Sequence, residues 1–446
     1  MQGLAANVPW RRASRALQAN LDDELEHDHH VRILFEIICD VRVSYSHLNT
    51  LHRPCNDTGY TDPASTEGWG IVDFDWSNGK GTGSADGWAK HKPMDDEEML
   101  FKQVEMTAAA TKGTTVWVYR NTVYGYPWYT DVRKTLEDPA YADWYFSFKP
   151  NPPWFSKKCD AAIPSLCSDL FHEQEQSPGF PHGDGDCAAP GCDCGKVPCG
   201  FYIWNHSSTT VVKGQTFQDW FINDYILNKV GRSPLVSGFF WDDVWNPECN
   251  IHDQVKNTCE DMGFSKGDPR LVQLTADYQA NMRALREATL KAGKFAWQML
   301  WTGGADDSIG GTGLTTLVTK DRCTQKLRTM CDANSPAQTR AMAYGLSGGD
   351  TSKRNPEFSQ DLANFLLTRG KYSFLGWGWK GCSKEYHFPK ELNYDYGVPV
   401  GVANGDGLGL CKETAPGSEI FVREYTKSTV VMDCTVYVAT ISMHDE

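Results

Sequence analysis

The chain has 446 residues, 40% hydrophobic and 22% charged, which is the balance of a folded globular protein and excludes a disordered or fibrous one. Its formal net charge of −14, with no clustering of Lys and Arg, excludes a polyanionic partner, so no nucleic acid is expected. No apolar run approaches the length of a membrane span, so no membrane partner is expected either, and a monomer is the expected state.

In chain order, residues 1–66 show no sustained helix or strand period and read as a poorly ordered N-terminal tail. The EHDHH run at 26–30 is most simply a solvated segment, with metal binding by His27, His29 and His30 as the alternative. The apolar run RILFEIICDV is interrupted by Arg32, Glu36 and Asp40, so it is no signal peptide; a secreted protein with this sequence would have its leader elsewhere.

From residue 68 the pattern becomes regular. Strands are predicted at 70–76 (GIVDFDW), near 116 (TTVWVYRN), at 200–206 (GFYIWNH), near 238 (SGFFWDDV), near 295 (KFAWQMLW), at 340–346 (RAMAYGL) and near 373 (KYSFLGWGW). An eighth is sought at 399–403 or in EIFVREY. Four amphipathic helices precede the strands near 116, 238, 295 and 373, each closed by a glycine, Gly113, Gly231, Gly293 or Gly370, at the expected C-cap. Helices alternating with short, almost wholly apolar strands imply a parallel sheet covered on both faces.

The expected fold is therefore α/β: a TIM (β/α)8 barrel over 67–395, with a long Cys-rich insertion after strand two at 121–199. A C-terminal β extension, or a last barrel strand plus a hairpin, is expected over 396–446. A doubly wound sheet is the competitor. Its phosphate loop is poorly matched by SNGKGTGSADG, which runs into Trp88 and Pro93 rather than a helix start.

Fifteen cysteines, eight of them at 159, 167, 187, 192, 194, 199, 249 and 259, read as a disulfide network from an oxidising compartment. The odd count leaves one free or paired outside the chain. Zinc at Cys187, Cys192, Cys194 and Cys199 is the alternative, but that run lacks paired C-x2-C spacing and an interleaved histidine. The sequons at Asn56 and Asn205 fit a secreted glycoprotein.

In a βα barrel the chemistry lies at the C-terminal ends of the strands. The residues there are Asp73, Asp75 and Trp76 after strand one, Arg120 and Asn121 after strand two, and Trp204 and Asn205 after strand three. Strand four offers Trp241, Asp242, Asp243 and Trp245, strand five Gln298 and Trp301 with Asp307 beyond, and strand seven Trp377 and Trp379. Glycosidic cleavage takes one carboxylic acid to protonate the leaving oxygen and a second carboxylate as nucleophile or base. Tryptophans supply stacking surfaces and amides recognise hydroxyls. Asp242, Asp243, Asp75 and Asp307 are the catalytic candidates and the others the substrate-binding ones; Asp306 and Asp350 stand further out. Strand alternation predicts that only one of Asp242 and Asp243 faces the barrel mouth. The competing reading is that an Asp at a strand end caps a turn. His206 and His252 have no ligand spacing, so no metal and no cofactor are expected.

The texts GFFWDDVW and VWVYRN, and the closing FVREYTKSTVVMDC with Arg423, Tyr425 and Asp433, resemble an uncharacterised group of secreted, glycoside-hydrolase-like TIM-barrel proteins. The resemblance spans roughly 68–436. It implies a carbohydrate substrate and, as in α-galactosidase-like barrels, an acid after strand four in the position of a nucleophile. The sequence departs from the barrel clan that carries an Asn-Glu pair, since Asn205 is followed by His206 and no adjacent Asn-Glu pair follows the strand-four tip. A secreted glycoside hydrolase is the leading expectation. A non-catalytic glycan-binding barrel and a cysteine-rich structural protein, in which the aromatics merely pack, are the alternatives.

Overall fold

Strands that are apolar along their whole length need cover on both faces, and the most apolar runs of this sequence form one parallel sheet. The computed structural model describes residues 50–52, 60–67, 69–74, 91–111, 113–148, 158–159, 167–173, 193–243, 245, 258–265, 267–298, 318–332, 342–345, 353–370, 373–376, 389–401 and 408–444. The sheet contains β1 (Thr50–His52), β2 (Ile71–Phe74), β3 (Thr115–Asn121), β11 (Val236–Asp242), β12 (Phe295–Gln298), β13 (Met342–Gly345) and β14 (Ser373–Gly376). Their spatial order is β12-β11-β3-β2-β1-β14-β13, and every pairing is parallel.

That order is the chain order written round a circle, with the last strand against the first. No pairing of β12 with β13 is found among the described residues. At the centre, Ile71, Val72, Phe74, Val116, Trp117, Val118, Tyr119, Phe239 and Phe240 are all buried. Gly238 makes the close packing possible: a Cβ there would stand 2.8 Å from both the Trp117 ring and Phe295 Cβ. Trp117 accordingly stacks on Phe295 across the glycine, with centroids 5.6 Å apart.

Two elements, β1 and a 3-10 turn at Pro63–Thr66, fall within the segment expected as tail. The strand expected at 200–206 exists but belongs elsewhere. β8 (Phe201–Ile203) pairs antiparallel with β4 (Tyr124–Gly125) and β7 (His172–Glu173), so β11 lies directly beside β3. The physical cause is at the end of β3, where Asn121 Oδ1 accepts the amides of Val123 and Tyr124 at 2.8 and 2.6 Å and turns the chain back into β4. The connection between β3 and β11 thereby runs through all of 122–235. It also holds β5 (Lys158–Cys159) paired with β6 (Cys167–Ser168), and β9 (Val211–Val212) paired with β10 (Gln215–Thr216).

Helix α1 (Asp96–Ala110) carries Asp96, Glu97 and Glu98 in its first turn, where carboxylates offset the positive end of the helix dipole, and buries Leu100, Gln103, Val104 and Thr107 on one face. α2 (Thr130–Glu137) follows β4. A π-helical segment, Trp220–Val230, stacks Trp220 on Tyr225 at 5.2 Å, five residues apart. α3 (Pro269–Lys291) starts on Asp268, whose side chain accepts the Arg270 amide, with proline at the first helical position.

Of the four expected glycine caps, Gly113 (φ 90°) and Gly293 (φ 73°) are left-handed. Gly231 keeps a helical φ of −67°, its amide bonding back to Ile226 as the π-type turn requires. Gly370 is not among the left-handed glycines.

The C-terminal residues form an antiparallel sheet, β15 (Lys412–Glu413), β16 (Ile420–Glu424), β17 (Ser428–Asp433) and β18 (Val438–Met443), in that order. Among the described residues, neither 399–401 nor β16 joins the parallel sheet, and the rest of the 399–403 stretch lies outside them. Pro399 makes only an isolated bridge to Tyr425. This sheet builds a second core with α4 (Cys323–Met330) and α5 (Phe358–Thr368). Disulfides Cys323–Cys434 and Cys331–Cys411 tie α4 to it across 111 and 80 residues of chain.

The closing Arg423-x-Tyr425 pair is a helix cap. The Arg423 guanidinium donates to the carbonyls of Leu366, Leu367 and Arg369 at 2.8–3.0 Å, and Tyr425 donates to Leu366, satisfying the orphan carbonyls at the end of α5. Asp433 accepts from the Thr435 amide and hydroxyl in the β17–β18 turn.

Candidate active site

The carboxyl ends of β3 and β11 lie side by side, with Arg120 in register with Trp241 and Asn121 with Asp242. β11 ends because Asp243 adopts a left-handed backbone, φ 62°, a conformation that Asp tolerates better than most L-residues. Its amide turns onto the Asp242 carboxylate at 2.9 Å. The alternation expected for the pair holds only while the backbone stays extended, and here it does not. Asp243 swings back to receive Asn121 Nδ2 on Oδ2 at 2.6 Å, while Asp242 is the register partner of Asn121 along the strands. Asp243 is 4% exposed, whereas Asp242 is half-buried and reaches solvent.

Asn121 is held on both sides. Its oxygen is occupied by two backbone amides, which fixes the amide orientation. Its nitrogen also lies 2.8 Å from the Tyr119 hydroxyl and 2.7 Å from that of Tyr126. Burial, with the Asp243 carboxylate next in weight, pushes the Tyr126 phenol well above its ordinary range, so it stays protonated.

A second layer grips the backbone of the turn. The Thr122 amide donates to Asp242 O at 3.0 Å, and its hydroxyl lies 2.9 Å from the same oxygen and 3.1 Å from Asp243 O. Tyr278, from α3, donates to Asp243 O at 3.2 Å. His206 Nε2 donates to Thr122 O at 2.8 Å while Nδ1 accepts from Asn281 at 3.1 Å. Burial lowers its pKa to about 4, so this imidazole is a neutral structural donor.

Arg120 points away from this cluster, toward the helices. It is 1% exposed, pairs with the fully buried Glu97 at 3.2 Å, and lies over the rings of Tyr129 and Tyr225 at 4.7 and 5.4 Å. Burial raises the Glu97 pKa against the opposing pull of Arg120.

The remaining candidates scatter. Asp73 is completely buried and in register with Trp117, four residues short of Asn121, or roughly 13 Å lower along the strands at about 3.3 Å per residue. Trp204 and Asn205, expected at the end of a barrel strand, follow β8 in the antiparallel sheet. Trp204 is 1% exposed and stacked on Tyr145 at 4.9 Å. Asn205 Nδ2 donates to Asp143 O at 3.0 Å. Trp241 stacks on Phe239 at 4.9 Å and Trp245 on Phe146 at 5.6 Å, each 3% exposed. Gln298 ends β12 in register with Trp241. Asp75, Trp76, Trp301, Asp306, Asp307, Asp350, Trp377, Trp379 and His252, like Asn56 and His27, His29 and His30, lie outside the described residues.

The residues that sequence reading missed are Tyr119, Thr122, Tyr126, Tyr278, Asn281 and Glu97. Of these, Tyr119, Thr122 and Tyr126 stand within five residues of Asn121 and were open to notice; the helix-borne ones carry no local signal. Cys194 and Cys199 form a disulfide with each other, which takes two of the four proposed zinc thiolates. Among the described residues no cluster of three or more His, Cys, Asp or Glu could hold a metal ion, and no helix is long and apolar enough to cross a membrane.

No protein-family model matches the sequence, and no curated protein does. Among solved structures, the chain is similar to a maltogenic amylase from S. marinus (TM-score 0.39, 10% identity, 87% of this chain and 62% of that one). It is also similar to an isomaltulose synthase from Klebsiella sp. LX3 (0.38, 12%, 74% and 65%) and an alpha-N-acetylgalactosaminidase from Bifidobacterium bifidum (0.34, 8%, 96% and 62%). In all three the match spans less than two thirds of the neighbour's own length.

Proposed function

We propose that the parallel sheet closes into a (β/α)8 barrel and that the protein is a secreted glycoside hydrolase, with Asp242 as one working carboxylate. The observation that carries the reading is the pair at the tip of β11. One carboxylate, Asp242, is half-buried but reaches solvent at the carboxyl end of a strand of the parallel sheet, and its neighbour is buried and tied to Asn121. In a βα barrel that end of the sheet is the reaction face. A solvent-reaching acid there, with its own carbonyl held by Thr122 and that of the next residue by Thr122 and Tyr278, is suited to protonate a glycosidic oxygen or attack an anomeric carbon.

The second carboxylate needs to stand about 5–10 Å from the first. Asp73 is too low in the sheet for that position, so Asp75 or Asp307 is assigned to it. Asn121 serves the site by holding Asp243, and Arg120 by fixing the end of β3 to the helices.

The test is to replace Asp242 and Asp243 separately by Asn and assay hydrolysis across a panel of polysaccharides and aryl glycosides. Asp242→Asn is expected to abolish turnover and Asp243→Asn to weaken it. Full activity in both removes the assignment.

One observation favours the alternative that the aromatics only pack. Trp204, Trp241 and Trp245 are core residues in ring contact with Tyr145, Phe239 and Phe146, so they are not sugar platforms. A non-catalytic glycan-binding barrel would bind members of the same panel without releasing sugar. N-glycosylation at the half-buried Asn205 belongs to the secreted reading; an endoglycosidase-sensitive mass shift lost in Asn205→Gln tests it.

A further inference from the structure

Helix α3 reaches the tip of β11 through one hydroxyl, and that contact does not depend on any side chain of the acids themselves. Tyr278 OH lies 2.8 Å from Thr122 Oγ1 and 3.2 Å from Asp243 O. Thr122 in turn bonds the carbonyls of both Asp242 and Asp243. One helical turn along α3, Asn281 donates to His206 Nδ1 at 3.1 Å and to His206 O at 3.3 Å, while His206 holds Thr122 O. Tyr278 and Asn281, three residues apart, lie on one face of the helix and reach the Thr122–Asp243 turn by two separate routes.

We infer that Thr122 and Tyr278 are positioning residues, a hydroxyl clamp from the residue after β3 and from α3 that keeps the left-handed Asp243 turn closed and thereby sets which of the two acids faces solvent. A left-handed Asp is not the lowest state of an isolated chain. It persists when its surroundings over-determine it. Here the turn is fixed from three sides: the Asn121 amide on the Asp243 carboxylate, the Thr122 amide and hydroxyl on the two carbonyls, and the Tyr278 hydroxyl on the second carbonyl. Of these, the Tyr278 hydroxyl comes from a helix more than thirty residues further along the chain, so the turn is a tertiary rather than a local product.

The functional meaning of the clamp rests on Asp242 being the working carboxylate, but its existence does not, and the experiment separates the two. The full-length, oxidised protein is treated with a water-soluble carbodiimide and a small amine, and amide formation at Asp242 and Asp243 is quantified separately by peptide fragmentation. In the unmodified sequence Asp242 reacts and Asp243 is protected. Thr122→Val and Tyr278→Phe are each expected to raise labelling of Asp243 about fivefold, the population change that corresponds to losing one neutral hydrogen bond of about 1 kcal/mol. Thr122→Ser, which restores the hydroxyl, returns Asp243 to protection, a rescue that a general loosening of the fold does not produce.

Unchanged Asp243 labelling in both Thr122→Val and Tyr278→Phe overturns the clamp. So does equal labelling in Thr122→Val and Thr122→Ser. If the labelling behaves as expected while Asp242→Asn keeps full glycan turnover, the clamp stands and the assignment of Asp242 as the working carboxylate falls.

Discussion

Substitutions at Asp243 separate the backbone contribution of the β11 tip from its side-chain contribution. With φ at 62°, a residue bearing a Cβ is strained there by about 1–2 kcal/mol unless its side chain compensates, and glycine is not. The Asn121 bond to the buried carboxylate is a hydrogen bond to a charged group, worth about 1.5–3 kcal/mol. Asp243→Asn keeps an acceptor for Asn121 and an Asx side chain at home in this conformation, so it costs about 1 kcal/mol or less. Asp243→Gly loses the bond but relieves the backbone, at the expense of about 0.5–1 kcal/mol of extra chain entropy in the unfolded state. Asp243→Ala loses the bond and keeps the strain. Glycine is therefore expected to be more stable than alanine by about 0.5–1 kcal/mol, the reverse of their order at an extended position. Urea denaturation of the oxidised protein, followed by tryptophan fluorescence and by far-ultraviolet circular dichroism, measures the order, with coincidence of the two probes checking two-state behaviour. An alanine variant as stable as the glycine variant would refute the left-handed turn on which the site depends.

The Arg120–Glu97 pair should behave as a buried ion pair: Arg120→Met or Glu97→Leu alone costs about 3–5 kcal/mol, the double change is close to neutral, and a denaturation cycle with additive losses would contradict it. Because burial raises the Glu97 pKa above 4.5, the native state binds that proton more readily than the unfolded chain. Its contribution to stability is therefore greatest below about pH 4.5 and falls as pH rises toward the folded value, so the gap between the natural sequence and Glu97→Gln should narrow with rising pH in melts across that window. Gly238→Ala pushes a Cβ to 2.8 Å from Trp117 and Phe295, an overpacking cost of about 1–3 kcal/mol by denaturation; a neutral result would mean that the indole does not lie across the glycine. Removing Cys323–Cys434, which closes 111 residues, should cost about 3–5 kcal/mol in the chain-entropy picture, and a loss under about 1 kcal/mol in Cys323→Ser/Cys434→Ser would show that the unfolded chain is constrained in other ways.

The sequence by itself determined the elements that periodicity and composition encode. Predominantly apolar runs at 71–74, 115–121, 236–242, 295–298, 342–345 and 373–376 became strands of one parallel sheet because cover on both faces satisfies them. The acids at 242–243 were legible as a strand tip, and alternation in the C-terminal text as an antiparallel hairpin. Pairing was decided elsewhere. GFYIWNH reads as a strand with the same apolar signal as its neighbours, yet β8 joins β4 and β7, because the two amides captured by Asn121 reverse the chain after β3. An apolar run specifies that a strand is buried, not which strand covers it. Likewise Arg423 and Tyr425 stood out as a motif, but only the approach of β16 to the end of α5 makes them a cap. At the site, alternation predicted that only one of Asp242 and Asp243 faces the barrel mouth, the other facing outward or turning with the loop. One left-handed residue, held by the hydroxyls of Thr122 just after β3 and Tyr278 of α3, which lie far apart in the chain, brought Asp243 back to Asn121, and contacts at such separation leave no trace in local sequence.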